Sequence, residues 1–297
     1  MSVTAEAPAQ YRAAATRPGP LGLLREAARE VWDRRRLIGY LVQADVRKKG
    51  ADTLLGNLWW VIDPLLQMAV YVVLVSVIFD RKQADYPIFI FAAILPWKWF
   101  QTSVYDGITS VTGAGGLIRQ VQFPKVVLPV ASSLAAVWNF AFGLIPMTLL
   151  IIAFFPHRLT WTMLLIPLIA VVQFVFNLAL AVGLGALNVF YRDIGNIARH
   201  AMRLWFYLSP GLYAFATLQE ATAKISFPLL QHILLWNPFA ILFTAYRDVI
   251  YGQEKPPYGG IIPDWGLLGG LLLASLILLA LATLLFKRAE PAFAKVL

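Results

Sequence analysis

The groups through which this chain could carry acid–base or metal chemistry are 16 carboxylates and three histidines, and their placement argues against both. His157, His200 and His232 are too widely spaced to form a ligand cluster. The absence of cysteine excludes a disulfide framework, a thiolate metal site and a cysteine nucleophile. Most carboxylates fall in the polar tail and in loops, and only Asp63 and Asp106 lie near or within apolar segments. An ionisable side chain at membrane depth is by default a functional-site hypothesis. Each also has a plain explanation: Asp63 sits at a helix start, where the dipole favours an anion, and Asp106 lies just below an interrupted helix that water can reach. No GxxxxGK[ST] pattern occurs, so the chain holds no ATP phosphates by itself, and any ATP-driven motor is a separate polypeptide. No catalytic residue, metal ligand or bound cofactor is assigned to this chain.

Binding chemistry is more visible. Trp59, Trp60, Trp161 and Trp265 sit at predicted helix ends, as interfacial aromatics do. Trp97, Trp99, Phe100 and Tyr105, and further on Trp205, Phe206, Tyr207 and Tyr213, stand beside Ser, Thr, Gln and Pro. Rings in that setting either line a wet path on which sugar faces stack or pack helices together. Two loops are placed to meet a partner. In Gly113–Pro124 the glycines end one helix and Pro124 restarts the next, leaving a short helix over 117–123. Its Leu117, Ile118, Val121 and Phe123 are costly in water, so they plug into a partner's groove or pack on this chain's own N-terminal helix. Phe190–Asn196 makes a tight reversal with Asp193 placed to cap the next helix, while Arg192 and Arg199 face head groups or that cap.

The elements that must position these residues follow from composition. The 297 residues are 59% hydrophobic and 14% charged, with a mean hydropathy of +0.68, against about 45–50% and about 25% in soluble domains. At roughly 20 apolar residues per crossing, the chain is an all-α integral membrane protein of about six spans, with no room for a large extramembrane catalytic domain. Residues 1–20 read as a mobile cytoplasmic tail and not as a signal peptide, because an apolar run is missing. Residues 21–56 intersperse Arg25, Arg29, Arg34, Arg35, Arg36, Arg47, Lys48 and Lys49 with leucines, an amphipathic interfacial segment; a solvated basic helix is the alternative. The six-span domain covers 57–290, with crossings at 58–79, 87–111 (broken at Pro96), 126–155, 161–190, 197–215 and 265–286, and 291–297 is a cytoplasmic C-terminus. The run 227–246, interrupted at Asn237-Pro238, reads as re-entrant helices; a seventh crossing is the rival. Six crossings put most of the 25 Lys and Arg inside, with both termini cytoplasmic, and a seventh would misplace the basic C-terminus. That rule also accounts for the net charge of +9 without a nucleic-acid partner.

Several motifs in order carry a resemblance over roughly residues 35–290: Leu55-Gly56-Asn57-Leu58-Trp59-Trp60 with Asp63-Pro64, Leu95-Pro96-Trp97 with Phe100, and Phe123-Pro124-Lys125-Val126-Val127-Leu128-Pro129. Tyr191-Arg192-Asp193-Ile194, Leu208-Ser209-Pro210 with Tyr213, and Asn237-Pro238 with Arg247 follow. The chain resembles the membrane subunits of ABC transporters that export lipid-linked polysaccharides, the O-antigen, capsule and teichoic-acid exporters. Tyr191 stands where that family usually has Phe, a conservative departure, and the N-terminal tail is longer than the family core needs.

The resemblance implies a homodimeric permease in the bacterial inner membrane, with a separate ATPase subunit, carrying ATP and Mg, under each half. Leu117, Ile118, Arg119, Gln120 and Phe123, with Arg192 and Asp193, then form the coupling region. Trp59, Trp60, Trp97, Trp99, Phe100, Tyr105, Trp205, Tyr207, Ser209 and Tyr213 line the channel, and Pro210, Asn237 and Pro238 belong to the gate. The expected function is ATP-driven export of a lipid-linked, O-antigen-type glycan. The alternatives are a proton-coupled glycolipid flippase, which needs Asp63 or Asp106 to titrate, and an exporter of teichoic acid, capsule or another cell-wall glycan. A membrane-embedded glycosyltransferase lacks the carboxylate or metal constellation it needs.

Overall fold

A computed structural model describes residues 18–50, 54–78, 83–223, 236–256 and 258–296. The expected tail, up to residue 17, and residues 227–235 of the expected re-entrant run lie outside the described residues. Among the described residues the chain is helical, with no strand.

The amphipathic N-terminal segment forms two helices. α1 (Pro20–Asp33) starts on a proline, which loses nothing by lacking an N–H in the first turn. It ends at Arg34, whose amide donates to the Glu30 carbonyl at 3.0 Å. α2 (Arg35–Gly50) follows at once and carries Arg47, Lys48 and Lys49 in its last turn, where cations suit the helix dipole. The bend lets each helix find its own partner: α1 packs on the final helix, and α2 on the third long one, where Ile38 meets Val127 and Ala131. Trp32 and Tyr40 stay exposed.

α3 (Trp59–Val72) continues through a π-helical stretch to Ile78. α4 (Tyr86–Gly113), the short α5 (Gly115–Gln120) and α6 (Val127–Phe154) follow. Then come α7 (Ile166–Phe190), led in by a 3-10 turn from Trp161, α8 (Ile194–Leu208), α9 (Phe215–Ala223), α10 (Pro238–Ile250) and α11 (Trp265–Val296). Among the described residues four helical stretches are long and apolar enough to cross a membrane: Trp59–Ile78, Val127–Phe154, Trp161–Phe190 and Trp265–Phe293. The first three match the first, third and fourth expected crossings; the last begins at the expected Trp265 but continues as helix past 286 and through Pro291 to Val296, into the expected C-terminal segment.

The other two differ from expectation. α4 is not broken at Pro96 but runs through it. A proline inside a bundle is tolerated where the carbonyl it frees, here that of Ala92 one turn back, is surrounded by protein rather than lipid; Ala92 is fully buried, and Gln173 Nε2 adds a bond to the Pro96 carbonyl at 2.7 Å. α8 stops at Leu208 rather than continuing to 215, because Pro210 disfavours helical backbone at Ser209 and has no N–H to continue the ladder. Its 15 residues rise about 22 Å, short of the roughly 30 Å hydrocarbon core.

α4 is the centre of the molecule, flanked by α3, α6, α7, α8 and α10, so its polar residues meet protein rather than lipid. It approaches α7 through small residues: a Cβ built on Gly107 would lie 2.4 Å from the Ala181 Cβ, and one on Gly185 2.9 Å from the Gly107 carbonyl oxygen.

Candidate functional site

Glycine and proline bracket α5 as the sequence predicts, but its apolar residues divide between two faces. Ile118 and Phe123, each 7% exposed, belong to a cluster with Val111, Val126, Val189, Phe286 and Phe293, against which Val31, Leu37 and Leu41 of α1 and α2 also pack. Of the two readings, packing on the chain's own helices is the one this burial fits for Ile118 and Phe123: they anchor the short helix to its own subunit, because burial there removes them from water without a second chain. Leu117 (40% exposed) and Val121 (50%) remain open, and Arg119 and Gln120 lie on the exposed side with them.

The second expected contact also changes in detail. Asp193 occupies the N-cap position of α8 and its carbonyl accepts from the Asn196 and Ile197 amides, but its side chain makes no capping bond. Asn188 supplies that function instead: its Oδ1 accepts from the Gly195 amide at 3.3 Å, and its Nδ2 donates to the Ile108 carbonyl and to Thr112. Arg192 lines a polar cleft with Tyr105, Thr109 and Asn196. Arg199 stacks over the Tyr105 ring at 4.9 Å and donates to its hydroxyl.

The aromatic residues separate likewise. Trp97 and Phe100, each 1% exposed, form one cluster with Phe176, Trp205, Phe206, Phe239 and Phe243. Within it the Trp97 and Phe239 ring centroids lie 4.6 Å apart and T-shaped, the favourable edge-to-face arrangement. Enclosed in this way, Trp97 and Phe100 fit the packing reading of these rings and lock α4 to α8 and α10. Trp99 (2% exposed) stacks on Phe140 at 4.6 Å. Trp59 and Tyr207 are exposed, while Trp60, Tyr105, Trp205 and Tyr213 are half-buried.

Asn237, expected at the gate, lies against the turn after α8. Asn237 Nδ2 donates to Ser209 Oγ at 2.7 Å, its Oδ1 accepts from Trp205 Nε1 at 2.9 Å, and the same oxygen caps α10 through the Phe239 amide. Pro238 opens α10, and the turn through Pro210 and Tyr213 is held from beneath by Arg247. That guanidinium is 6% exposed and donates to the carbonyls of Pro210, Gly211, Tyr213 and Phe89. Its sequence motif, Asn237-Pro238 with Arg247, gives no hint of this role; the signal lies instead in an arginine within an apolar run, which must find acceptors.

Neither carboxylate of the apolar segments stands alone. Asp63 accepts from Lys98 Nζ, and Asp106 lies 2.6 Å from Lys49 Nζ, which also reaches Asp45 at 3.1 Å. On the opposite end of the bundle Asp85 Oδ2 receives both Arg158 Nε and His157 Nε2 at 2.7 Å. Partial burial pushes the Asp85 carboxyl up, but the bonds from His157 and Arg158 and their charges win and hold it below the usual value. No group of three or more metal-ligating side chains is found among the described residues.

No family model matches the chain. It is 32% identical over 267 residues to the O-antigen export system permease protein RfbA of Myxococcus xanthus, covering 90% of this chain and 97% of that protein. Two proteins of the same description from Klebsiella pneumoniae are 26% identical over 219 residues (72% of this chain, 79% of the relative) and 24% identical over 263 residues (88% and 95%).

Proposed function

The chain belongs to the O-antigen export permease family, and from that premise we propose that two copies assemble into an ATP-driven exporter carrying a lipid-linked polysaccharide across the bacterial inner membrane. It is an integral membrane transport subunit, and ATP and Mg bind to a separate ATPase, one copy beneath each half. Both termini are cytoplasmic, as the distribution of Lys and Arg favours. α4, whose 28 residues rise about 42 Å, takes the place of the second crossing. α8 and its turn take the place of the fifth, with α9 and α10 as the re-entrant pair before the sixth. α1 and α2, with exposed Trp32 and Tyr40 among arginines, form the interfacial segment.

The match along nine-tenths of the chain to an export permease carries this reading. Exposed on α3 and α8, Trp59 and Tyr207 are open to a second copy or to the glycan, which supports the channel role the family resemblance gives them. A proton-coupled flippase is less well supported, because Asp63 and Asp106 each hold a lysine. Deleting the coding sequence in its host is expected to abolish surface glycan and accumulate the lipid-linked form inside, with rescue only when a P-loop partner is intact. Undiminished surface glycan, or rescue without any ATPase, would overturn it.

A further inference from the structure

We propose that the cleft between α3, α4 and α6 binds one uncharged pyranose ring of the exported glycan; this rests on the export reading above and names where in the subunit a sugar is held. Trp59, Trp60 and Asp63 of α3, Lys98 and Trp99 of α4, and Asn139 of α6 surround a cavity of about 210 Å³. Drug-sized ligands occupy about 300–1,000 Å³, so the space suits a single ring rather than an oligosaccharide. Its mouth lies on the exposed side of α3, where Trp59 is 45% exposed and the Asp63 side chain 62%.

The lining has the chemistry of a saccharide site. Trp99 is held by its stack on Phe140 (interplanar angle 23°), and Trp60 by Phe142 at 5.5 Å, so indole surfaces are fixed before any ligand arrives. Two buried polar atoms of the lining have no partner: Trp99 Nε1, a donor, and Asn139 Oδ1, an acceptor. Leaving such groups unpaired is costly, and a sugar hydroxyl, which both donates and accepts, satisfies either.

The charge decides between a sugar and a phosphate head group. Lys98 and Asp63 already form an ion pair, so together they offer no net charge. An anion entering beside Lys98 meets the Asp63 carboxylate, whereas a hydroxyl bonds either side chain without separating them.

The test uses the full chain with its ATPase in lipid nanodiscs, with octyl glucoside below its micellar concentration as probe and octyl phosphate as the anionic counterpart with the same tail. Saturation-transfer NMR is expected to show contact to the glucoside ring protons. Asn139→Ala and Trp99→Phe are each expected to weaken binding about tenfold, the loss of one buried hydrogen-bond partner, and octyl phosphate should not compete. Trp59→Ala, at the exposed mouth, tests the same site should the buried variants fold poorly. No transfer, equal binding by the parent and every folded variant, or displacement by octyl phosphate would each overturn the proposal, the last assigning the cleft to a phosphate head group. Surface glycan in cells making the parent chain reports on the export reading separately, whatever the nanodiscs show.

Discussion

Arg158 is 1% exposed and donates to Asp85, to the Tyr251 carbonyl at 2.9 Å and to the Gln253 carbonyl, while its guanidinium lies over the Tyr251 and Tyr258 rings. Asp85 is the only carboxylate this arginine has among these partners, and it occupies left-handed backbone (φ 48°), which Asp and Asn tolerate better than most residues. Asp85→Asn therefore removes the charge while keeping the backbone, and is expected to cost about 2 kcal/mol at neutral pH, the scale of a hydrogen bond to a charged group. Because the folded state holds this carboxyl below its ordinary value of 3.8, its stabilisation is complete above that value and is lost as pH falls through the lower, folded one. Thermal unfolding in detergent should show parent and variant separated at neutral pH and converging in acid below about pH 4; a constant separation would remove the charge from the account. In the sequence His157 shows only as a histidine too far from the other two to share a metal, and no local pattern marks Asp85. Their contact spans 72 residues and depends on how two loops meet, which local pattern does not encode.

At the scale of elements, α5 shows why an apolar short helix is ambiguous in sequence. Glycine and proline punctuation located it, and side-chain type marked Leu117, Ile118, Val121 and Phe123 as costly in water, but only the packed neighbours tell which of them are covered. The consequence is a split in phenotype. Ile118→Asp buries an unpaired charge in the cluster with Phe286 and Phe293, so it should lower the yield of folded protein. Leu117→Asp with Val121→Asp places charge on the open face, so membrane insertion should be normal while transport-stimulated ATP hydrolysis falls by about tenfold or more, as for loss of an interface anchor. Full stimulation in the double variant would remove α5 from the ATPase contact. The same ambiguity explains Trp97 and Phe100: aromatic residues beside polar ones read equally as channel or core, and their neighbours on α8 and α10 are more than a hundred residues away.

The whole molecule is closed at one end by a charge cluster that joins distant parts of the chain. Lys287 Nζ of α11 lies 2.9 Å from Glu30 and 3.4 Å from Glu26, both on α1, and 3.0 Å from Glu290, which in turn accepts from the Lys125 amide at the start of α6 at 2.6 Å. One lysine thus holds the N-terminal helix, the last helix and the entrance to the third long helix together. Lys287→Met keeps much of the aliphatic stem but leaves three carboxylates facing one another, and breaking a buried pair on one side costs several kcal/mol. Amide hydrogen exchange over Pro20–Asp33 should then rise at least about tenfold, with little change in α7; unchanged exchange would mean that apolar contacts alone hold α1.

Composition and hydropathy alone determined that this is a helical membrane protein and located three of its long apolar helices to within a residue or two and the start of a fourth, while its motifs carried the resemblance to the export permeases. A bilayer makes this possible, because roughly 20 consecutive apolar residues are needed per crossing and that demand is written locally. Tertiary structure alone decided that α4 runs unbroken through Pro96, that α8 ends at Leu208, that Ile118 and Phe123 are anchors, and that Lys98 and Lys49 answer Asp63 and Asp106. Those outcomes depend on which side chains meet across helices 35 to 57 residues apart in these pairs, and the energy of such a meeting is a property of the packed bundle rather than of any stretch of chain.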